Sequence, residues 1–382
     1  MTYDVIVLGV GGMGSATMYH LARRGLSVLG IERFDVPHEL GSSHGESRII
    51  RLAYAEHPDY VPLLRRAYAL WRELESRVGE KLLIVTGGID AGAEESATVR
   101  GSLSSCAIHN LTHEYLDAAA LNRRFPGYRL TPQMVGVYQP DAGFLLPERC
   151  VVSHVAAARA LGAELHTRER VLCWRANDQG VEVDTEESRY CSRRLVITAG
   201  PWTRTLVPTL EHLTMPERQV MLWTTPLTPE YFECGSFPVF VVEAPEGRFY
   251  GFPMHGIPGF KIGKYHHRGE RVEDPDQMDR ACHSADEETL REGIRRYFPD
   301  ANGPTLAMKP CLFTNSPDEH FILDVLPDHA NVAVAAGFSG HGFKFCSVVG
   351  EIMAELVMEG RTNHDVSLFR LGRFTPPSRV HS

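Results

Sequence analysis

The sequence Gly9-Val10-Gly11-Gly12-Met13-Gly14 follows an apolar run at residues 3–8 and precedes residues 15–25. The apolar run is typical of a buried strand, and the segment after the glycines is typical of a helix. In this context the pattern G-x-G-x-x-G permits a tight turn, close approach of a pyrophosphate and close packing of the helix on the strand. The stretch therefore predicts an α/β fold that binds a dinucleotide, whereas the glycine pattern alone would prove little.

An acidic residue lies where a dinucleotide-binding fold needs one. Residues 28–31 form the next apolar run, and Glu32 ends it. A carboxylate at this point binds the hydroxyl groups of the ribose. A structural glycine turn without a ligand is the alternative interpretation. We predict that Gly9, Gly11, Gly14 and Glu32 bind the cofactor.

A second glycine loop, Gly337-Phe338-Ser339-Gly340-His341-Gly342-Phe343-Lys344-Phe345, lies near the other end of the chain. It follows an apolar run at residues 332–336 and opens a segment, 343–358, with helical spacing. A helix N-terminus offers unpaired N–H groups and a partial positive charge, and glycines let a bulky ligand approach. We therefore expect a negative or electron-rich ligand beside Gly340, His341 and Gly342. His341 could be a base or, equally, a hydrogen-bonding spacer.

The length and charge of the chain limit the class of protein. With 382 residues the chain is too long for one small core, so we expect two domains or one large discontinuous domain. Apolar residues make up 43% and charged residues 23%, which is ordinary for a globular enzyme. The net charge of −9 and the lack of basic runs argue against nucleic-acid binding. Any anion must therefore be recognised by a few local cations.

The sequence also leads to expectations about the cellular compartment of the protein and about bound metals. No stretch approaches about eighteen consecutive apolar residues, and the first residues show no basic segment or cleavage site, so we expect neither a membrane span nor a secretory signal. The eight cysteines show no C-x-x-C spacing and no histidines at zinc-finger distances. We expect a cytoplasmic protein with reduced thiols, no metal and no membrane partner.

Short strand patterns recur in the middle of the chain. They lie at residues 163–166, 181–183 and 195–200, and the last ends in Ala199-Gly200 before Pro201-Trp202. A strand that ends in this way suits a backbone beside the same nucleotide. The apolar spacing of residues 63–78 predicts a helix.

Between residues 217 and 308 the pattern changes to strands of a separate, largely antiparallel sheet, at 220–224, 239–243, 248–252 and 260–265. A helix follows, from a capping box Ser284-x-x-Glu287 through Tyr297. The predicted fold is α/β, α+β overall, with a mainly antiparallel substrate domain inserted into a Rossmann-type dinucleotide-binding domain. The dinucleotide-binding domain is predicted to comprise residues 1–90, 145–215 and 318–382, and the substrate domain residues 91–144 and 216–317.

Two arginines follow the glycine- and serine-rich stretch Gly41-Ser42-Ser43-His44-Gly45. Arg48 and Arg51 are three residues apart and would share a face if the segment were helical. They could equally pair with Glu46 or Glu56. His44, like His341, could be a base or a spacer.

Two lysines and a cysteine are further candidates for chemistry. Lys344 lies close to a predicted helix N-terminus, where a lysine is disfavoured unless an anion is near. Lys261 lies between apolar neighbours on a predicted strand, where the simplest interpretation is an outward, solvated side chain. Cys311 taken alone would be a small buried hydrophobe.

Together these stretches resemble the monomeric sarcosine oxidase and N-methyltryptophan oxidase family of flavoproteins. The resemblance covers nearly the whole chain and is closest in residues 41–51, in Phe249-Tyr250-Gly251-Phe252-Pro253, in residues 315–322 and in the opening glycine loop. It implies FAD attached through its 8α-methyl group to the thiol of Cys311. It also implies that O2 oxidises a secondary amino acid, giving hydrogen peroxide and an imine that hydrolyses; an N-methyl substrate then yields formaldehyde.

The resemblance also implies roles for single residues. Arg51 and Lys344 would hold the substrate carboxylate, and Arg48 would lie over the flavin ring. Lys261 would be the lysine at which oxygen is activated, because a fixed positive charge stabilises developing superoxide. Tyr250 and His266 would line the amine end of the site. The residues implied to contact FAD, besides those of the glycine loops and Glu32, are Ser42, Ser43, His44, Val171, Ala199, Gly200, Trp202, Cys311 and Lys344.

The sequence departs from the family pattern in two places. The sarcosine-specific members carry Tyr two residues after the flavin-linked cysteine, whereas this chain has Phe313. The run Gly263-Lys264-Tyr265-His266-His267 has one extra residue, so either Tyr265 or His266 matches the family histidine. A bulkier or more apolar N-alkyl amino acid is therefore as plausible a substrate as sarcosine.

Several other functions are compatible with parts of this pattern. The nearest is an FAD oxidase or dehydrogenase of another secondary amine, such as a cyclic imino acid or a sugar-modified amino acid. An NAD-dependent dehydrogenase would use only the first glycine loop, and a non-catalytic nucleotide-binding module would leave the cations and Cys311 without a role. The favoured prediction is a monomeric, cytoplasmic FAD oxidase that acts on a small N-alkyl amino acid and O2.

Overall fold

The computed structural model describes residues 2–374, which divide into two compact units. The first unit takes the described residues of Met1–Ser43, Val151–Pro216 and Phe313–Ser382. The second unit takes His44–Cys150 and Glu217–Leu312. The chain therefore leaves the first unit twice and returns to it twice.

The strands are β1 Thr2–Leu8, β2 Val28–Ile31, β3 Arg48–Ile50, β4 Leu83–Val85, β5 Gly88–Ala93, β6 Glu114–Asp117, β7 Met134–Gln139, β8 Gly143–Leu145, β9 Glu164–His166, β10 Val171–Asn177, β11 Gly180–Thr185, β12 Arg189–Ile197, β13 Met215–Thr224, β14 Val239–Ala244, β15 Gly247–Phe252, β16 Phe260–Lys264, β17 Thr305–Asn315, β18 Ile322–Leu326 and β19 His329–Ala336. The α-helices are α1 Gly12–Arg23, α2 Tyr60–Val78, α3 Ala97–His109, α4 Ala118–Arg124, α5 Pro147–Arg159, α6 Thr203–Leu206, α7 Ser284–Tyr297 and α8 Cys346–Glu359.

The first unit is built on a parallel sheet with the order β9-β2-β1-β12-β19. Strand β18 continues it antiparallel to β19, and β10 and β11 extend antiparallel from the first half of β12. Leu8 pairs with Ile197, and Ile197 pairs with Val334, so the carboxyl ends of β1, β12 and β19 lie at one edge. In open α/β sheets ligands bind at this edge. The predicted α/β class is confirmed.

Helices α1 and α8 pack closely against each other. A Cβ atom on Gly350 would lie 2.5 Å from the carbonyl carbon of Ala16, and one on Gly12 would lie 2.6 Å from Cys346 Sγ. Distances of this kind are too short for real side chains, so these positions admit only glycine without a shift. The helix that follows the first glycine loop is therefore the direct neighbour of the helix that follows the second.

The second unit contains a sheet with the order β17-β13-β16-β15-β14-β5-β7-β6. From β13 to β6 in this order the pairing is antiparallel except between β14 and β5, which agrees with the predicted antiparallel character. One face of this sheet is apolar and packs against α7 through Leu290, Ile294 and Tyr297. The residues of that face alternate with those of the other face along each strand.

Several predicted boundaries differ in the structure. Residues 145–150, predicted for the dinucleotide-binding domain, lie in the second unit, and residues 216 and 313–317, predicted for the substrate domain, lie in the first. Residues 44–90 were predicted to belong with the dinucleotide-binding part, but they lie in the second unit because β5 pairs with β14 and β7. The helix cap is shifted by one residue: Ser284 is helical, and the Asp286 carboxylate accepts a hydrogen bond from the His283 backbone N–H at 2.9 Å. The segment predicted as a helix from residue 343 begins with a 3₁₀ turn, Phe343–Phe345, before α8.

Candidate active site

The first glycine loop has the close packing that its motif predicts. Gly9 has φ +83°, and a Cβ atom there would lie 2.7 Å from the carbonyl oxygen of Thr198. A Cβ atom on Gly14 would overlap the carbonyl of Gly9. The nearest atom to a Cβ on Gly11 would be Ser43 Oγ at 3.4 Å, which is an ordinary contact. Gly9 and Gly14 thus form the turn, and Gly11 leaves the loop accessible to a ligand.

Glu32 and Ser43 are held against this loop by hydrogen bonds. The Glu32 carboxylate is buried and accepts from the backbone N–H groups of Val10 at 2.8 Å and Phe34 at 3.0 Å. Burial raises the pKa of Glu32, and these hydrogen bonds oppose the rise. Ser43 Oγ accepts from the Gly12 N–H at 3.0 Å, at the start of α1. A carboxylate and a helix N-terminus on one loop fit the ribose and pyrophosphate of a dinucleotide.

The segment after β12 lies beside the same loop. Thr198 Oγ1 donates to the carbonyl oxygen of Gly9 at 2.7 Å, and a 3₁₀ turn, Gly200–Trp202, follows Ala199. The ring of Trp202 lies 5.4 Å from that of Phe34, two residues beyond Glu32. The structure therefore brings Ala199, Gly200 and Trp202 close to the predicted nucleotide site.

The remaining predicted nucleotide contacts are distributed more widely. Val171 begins β10, two residues after Glu169, whose backbone N–H donates to the Glu32 carbonyl at 3.0 Å. Ser42 is half-buried in the first unit, and His44 is buried in the second. Their proposed contacts with a cofactor remain predictions.

The second glycine loop lies at the carboxyl end of β19. Gly340 has φ +77°, and a Cβ atom there would overlap the ring of Phe313. His341 is buried, its Nε2 lies 2.9 Å from the carbonyl oxygen of Glu319, and its ring lies 4.9 Å from that of Phe321. These contacts favour the spacer interpretation of His341. Lys344 is buried in the 3₁₀ turn and donates from Nζ to the His341 carbonyl at 2.7 Å.

In the second unit, the strand register brings residues with predicted roles in the reaction to one face of the sheet. Residues directly opposite each other on neighbouring strands share a face. Lys261 is opposite both Phe252 and Trp223, and Tyr250 is opposite Gly263. Lys261 and Tyr250 therefore lie on the face away from α7.

Lys261 is not a solvated side chain, since it is 2% exposed. Its Nζ donates to the carbonyl oxygens of Gly45 at 2.6 Å and Ser47 at 3.0 Å, and to Ser47 Oγ at 3.0 Å. These three acceptors match the three N–H donors of an ammonium group. Burial, followed by the charge of Arg48, lowers the pKa of Lys261 well below that of a free lysine.

Arg48 lies beside Cys311. Its Nη1 donates to the Ser47 carbonyl at 2.9 Å, and its Nη2 lies 3.6 Å from Cys311 Sγ. The thiol is buried and packs with Met221 and Trp223. Because Arg48 lies on a strand, β3, it does not share a helical face with Arg51. A cation next to a buried thiol distinguishes Cys311 from an ordinary core cysteine.

Arg51 is buried in an ion-pair network. Its Nη2 lies 3.3 Å from Glu56 Oε2, and its Nε lies 3.2 Å from Asp90 Oδ2. Burial works to lower the pKa of Arg51, but the carboxylates of Asp90 and Glu56 outweigh it and raise the pKa. Asp90 is opposite Val241, which is in turn opposite Tyr250, so the network adjoins the face that carries Tyr250.

The structure separates the two candidates for the family histidine. Tyr265 is opposite Arg248, its ring lies 5.5 Å from that of Tyr250, and the Arg248 guanidinium carbon lies 3.8 Å from its ring centre. His266 has φ +56° and turns away, with its Nδ1 3.0 Å from Glu217 Oε2. The prediction of His266 as a residue near Tyr250 is therefore not supported by the geometry, and Tyr265 takes that place.

Sequence reasoning did not identify two further residues of this site. Arg248 could have been found from the strand pattern, because alternation places it with Tyr250 and Phe252. Glu148 accepts from the backbone N–H groups of Gly45 at 2.5 Å and Glu46 at 3.2 Å, and no motif signalled it. Its distance along the chain from that turn explains the omission.

The features of the two units together are those of a flavin-dependent oxidoreductase. The chain belongs to the family described as DAO, FAD dependent oxidoreductase, whose model matches residues 4–356. Within it, the chain belongs with the monomeric sarcosine oxidases and N-methyl-L-tryptophan oxidases, and it is an FAD-dependent amine oxidase. This confirms the predicted family, the fold class and FAD as the cofactor.

Individual relatives are similar along their whole length. The monomeric sarcosine oxidase of Streptomyces avermitilis is 42% identical over 96% of this chain and 97% of that protein. The N-methyl-L-tryptophan oxidase of Salmonella dublin is 36% identical over 98% of this chain and 100% of that protein. Among solved structures, NikD, an unusual amino acid oxidase essential for nikkomycin biosynthesis, superposes with a TM-score of 0.84 at 26% identity and covers 97% of each chain. Glycine oxidase from Geobacillus kaustophilus, with a TM-score of 0.80 at 21% identity over 98% of this chain and 100% of that chain, shares the fold.

All eight cysteines lie in the described residues, and none of them forms a disulfide there. Within residues 2–374, no helix is long and apolar enough to cross a membrane.

Proposed function

We propose that this protein oxidises sarcosine or a related N-methyl amino acid with O2. For sarcosine, the substrate, O2 and water give glycine, formaldehyde and hydrogen peroxide. The observation that carries the proposal is the buried face of the second unit, where Lys261, Arg48, Cys311 and Tyr250 are held together by strand register and hydrogen bonds. The names of the full-length relatives support the same reaction class.

Bound FAD supplies a two-electron acceptor for the carbon next to the amine nitrogen and an electron donor for O2. The glycine loops, Glu32 and the segment 199–202 would hold its dinucleotide part. We propose that Cys311 attaches it covalently, with a new S–C bond replacing the thiol S–H and one C–H of the 8α-methyl group, while O2 takes up the two electrons and two protons. The charge of Arg48, 3.6 Å from the sulfur, supports this assignment.

The side chains have separate roles in the proposed reaction. Arg51 and Lys344, each buried within its own unit, are the proposed ligands of the substrate carboxylate. Lys261 supplies the fixed positive charge that favours electron transfer to O2. Tyr250 and Tyr265, rather than His266, line the amine end. Phe313 offers no hydroxyl group. The shape and charge around Tyr250 and Tyr265 would therefore select the N-alkyl substrate.

The decisive experiment begins with the colour of the purified protein. We expect a yellow protein whose colour stays with the polypeptide after acid precipitation, and whose Cys311→Ser variant releases it. A colourless protein expressed with enough riboflavin would overturn the flavin assignment, and colour released by the unaltered chain would overturn the covalent bond alone.

The substrate is then identified by product analysis. Peroxide and formaldehyde should form together from sarcosine or other N-methyl amino acids. Peroxide without formaldehyde from proline-like or sugar-modified amines would favour the alternative oxidase. Substrate-dependent flavin reduction that only an artificial electron acceptor reverses would favour a dehydrogenase.

We also propose that the protein acts as a monomer in the cytoplasm. The free thiols support a reducing compartment. Light scattering on the purified protein should give the mass of one chain, and a dimer mass would contradict this.

A further inference from the structure

The turn at Gly45-Glu46-Ser47 has an unusual backbone. Gly45 has φ +96°, and Glu46 has φ +70°. A non-glycine residue in this region is uncommon, and it persists only where the surroundings hold it. The contacts around the turn therefore show what maintains this conformation.

The turn is held from two sides by opposite charges. On one side, the Glu148 carboxylate accepts from the N–H groups of Gly45 at 2.5 Å and Glu46 at 3.2 Å. On the other side, Lys261 donates to the carbonyls of Gly45 and Ser47. The Ser47 carbonyl also accepts from Arg48, so the same oxygen connects both cations. An anion binds the amides of this turn, and two cations bind its carbonyls.

The position of Glu148 relative to the turn is set by strand pairing. Arg48 on β3 is opposite Leu145 on β8, and α5 begins two residues after Leu145. Glu148 lies in the first turn of that helix. The strand pair therefore fixes the carboxylate beside the residues that precede Arg48.

We propose that Glu148 is a positioning residue, which orients the carbonyls of Gly45 and Ser47 toward Lys261 and so fixes Lys261 and Arg48 for the oxygen step. The role in the oxygen step rests on the proposed function, whereas the support of the turn does not. Glu148 itself touches neither substrate nor O2. It acts through the turn and through its negative charge.

The charge of Glu148 has its own consequence for Lys261. The charged and titratable groups around Lys261 are Arg48, which opposes its ammonium form, and Glu148, Cys311 and Glu46, which favour it. Replacement of Glu148 by Gln keeps a hydrogen-bond acceptor but removes one of the favourable charges. Lys261 would then lose its proton at a lower pH than in the unaltered protein.

The test compares Glu148→Gln and Glu148→Ala with a matched control, Glu80→Gln. Glu80 lies on the surface, 3.1 Å from Arg149 at the start of the same helix. The holoenzyme is examined in two ways that need no substrate: amide hydrogen exchange of the peptide that contains residues 45–47, and reoxidation by O2 after reduction with dithionite across a pH series.

We expect exchange in that peptide to become several-fold faster in Glu148→Ala, to change less in Glu148→Gln, which keeps an acceptor oxygen, and to stay unchanged in Glu80→Gln. In Glu148→Gln, the alkaline fall in the reoxidation rate should move to lower pH, because one charge that favours the ammonium form of Lys261 is removed. Unchanged exchange would overturn the support of the turn, and an unchanged pH midpoint would overturn the action on Lys261. If Glu148→Ala does not fold, Glu148→Met, which keeps the length of the side chain without an acceptor oxygen, replaces it in the exchange measurement. Failure of every N-alkyl amino acid to reduce the flavin would instead contradict the proposed function and leave these two measurements valid.

Discussion

At the residue scale, the side chain that lies beside Tyr250 decides whether a group that titrates near neutral pH is present there, and that side chain is Tyr265. Burial raises the pKa of its phenol, although the charge of Arg248 opposes the rise. A buried phenol stays neutral over the range in which an imidazole titrates. Because Tyr265 and not His266 lies beside Tyr250, this position adds no protonation step near neutral pH.

The first prediction compares these two neighbours. Tyr265→Phe should lower kcat/KM for the N-methyl substrate about tenfold, because the ring beside Tyr250 is kept but the polar hydroxyl group at the proposed amine end of the site is removed. His266→Ala should change it less than about twofold, since a surface substitution away from the site has little effect. Steady-state peroxide formation measures both. A larger loss in His266→Ala would show that the histidine is the functional residue.

The second prediction concerns Lys261. Lys261→Met should slow reoxidation by O2 about 100-fold, because a preorganised positive charge is lost where negative charge develops. Flavin reduction by substrate should change much less. In the unaltered protein, reoxidation should slow as pH rises through the lowered pKa of Lys261, and so below the pH at which an ordinary lysine titrates. Stopped-flow measurement of the two half-reactions separates these effects, and equal losses in both would refute the assigned role.

At the scale of elements, the β15–β16 hairpin positions the residues with proposed catalytic roles. The sequence predicted both strands, and period-two alternation then puts Tyr250, Lys261 and Tyr265 on one face. The sequence could not predict where β16 ends, because His266 and His267 both adopt positive φ. Residues far along the chain hold that turn: Glu217 pairs with His266, and Asp286 lies 3.0 Å from His267 Nε2.

The third prediction tests this support. Asp286→Ala should lower the free energy of unfolding by about 3 kcal/mol, because it leaves the buried Arg218 without the carboxylate that binds it at 2.9 Å. It should also lower activity through displacement of Tyr265. Asp279→Ala, which removes an exposed carboxylate paired with His283, is the control and should cost less than about 1 kcal/mol. Denaturant unfolding measures both, and similar values would exclude the proposed role of Asp286.

At the scale of the whole molecule, the protein carries a net negative charge, although its proposed active site uses cationic side chains. The net charge is −9, whereas Arg48, Arg51, Lys261 and Lys344 are buried or half-buried. We therefore expect local contacts, and not the overall field, to recognise a substrate carboxylate.

The fourth prediction follows from this charge distribution. Between about 20 and about 200 mM salt, kcat/KM for the N-methyl substrate should change less than about twofold, because long-range attraction is absent and buried pairs are poorly screened. A series of assays in sodium chloride measures it. A steep fall with salt would indicate electrostatic steering by a surface that these buried cations do not explain.

The sequence predicted the two glycine loops and their parallel sheet because each loop is a local pattern of strand, turn and helix. It did not predict that residues 44–90 belong to the second unit, since β5 finds its partner β14 about 150 residues later. Glu148 was not predicted for the same reason, because it binds a turn that lies about 100 residues earlier in the sequence. Local motifs could be predicted from the sequence, whereas contacts between segments far apart in the sequence could not.

The close packing of α1 against α8 has a consequence for how the protein is made. The first glycine loop leaves the ribosome about 330 residues before α8 does. Until α8 arrives, the side of α1 that carries Gly12 and Ala16 has no partner. The nucleotide-binding unit is thus completed only once α8 has been synthesised, so a nascent chain stalled before Cys346 should need a chaperone and should not retain the cofactor.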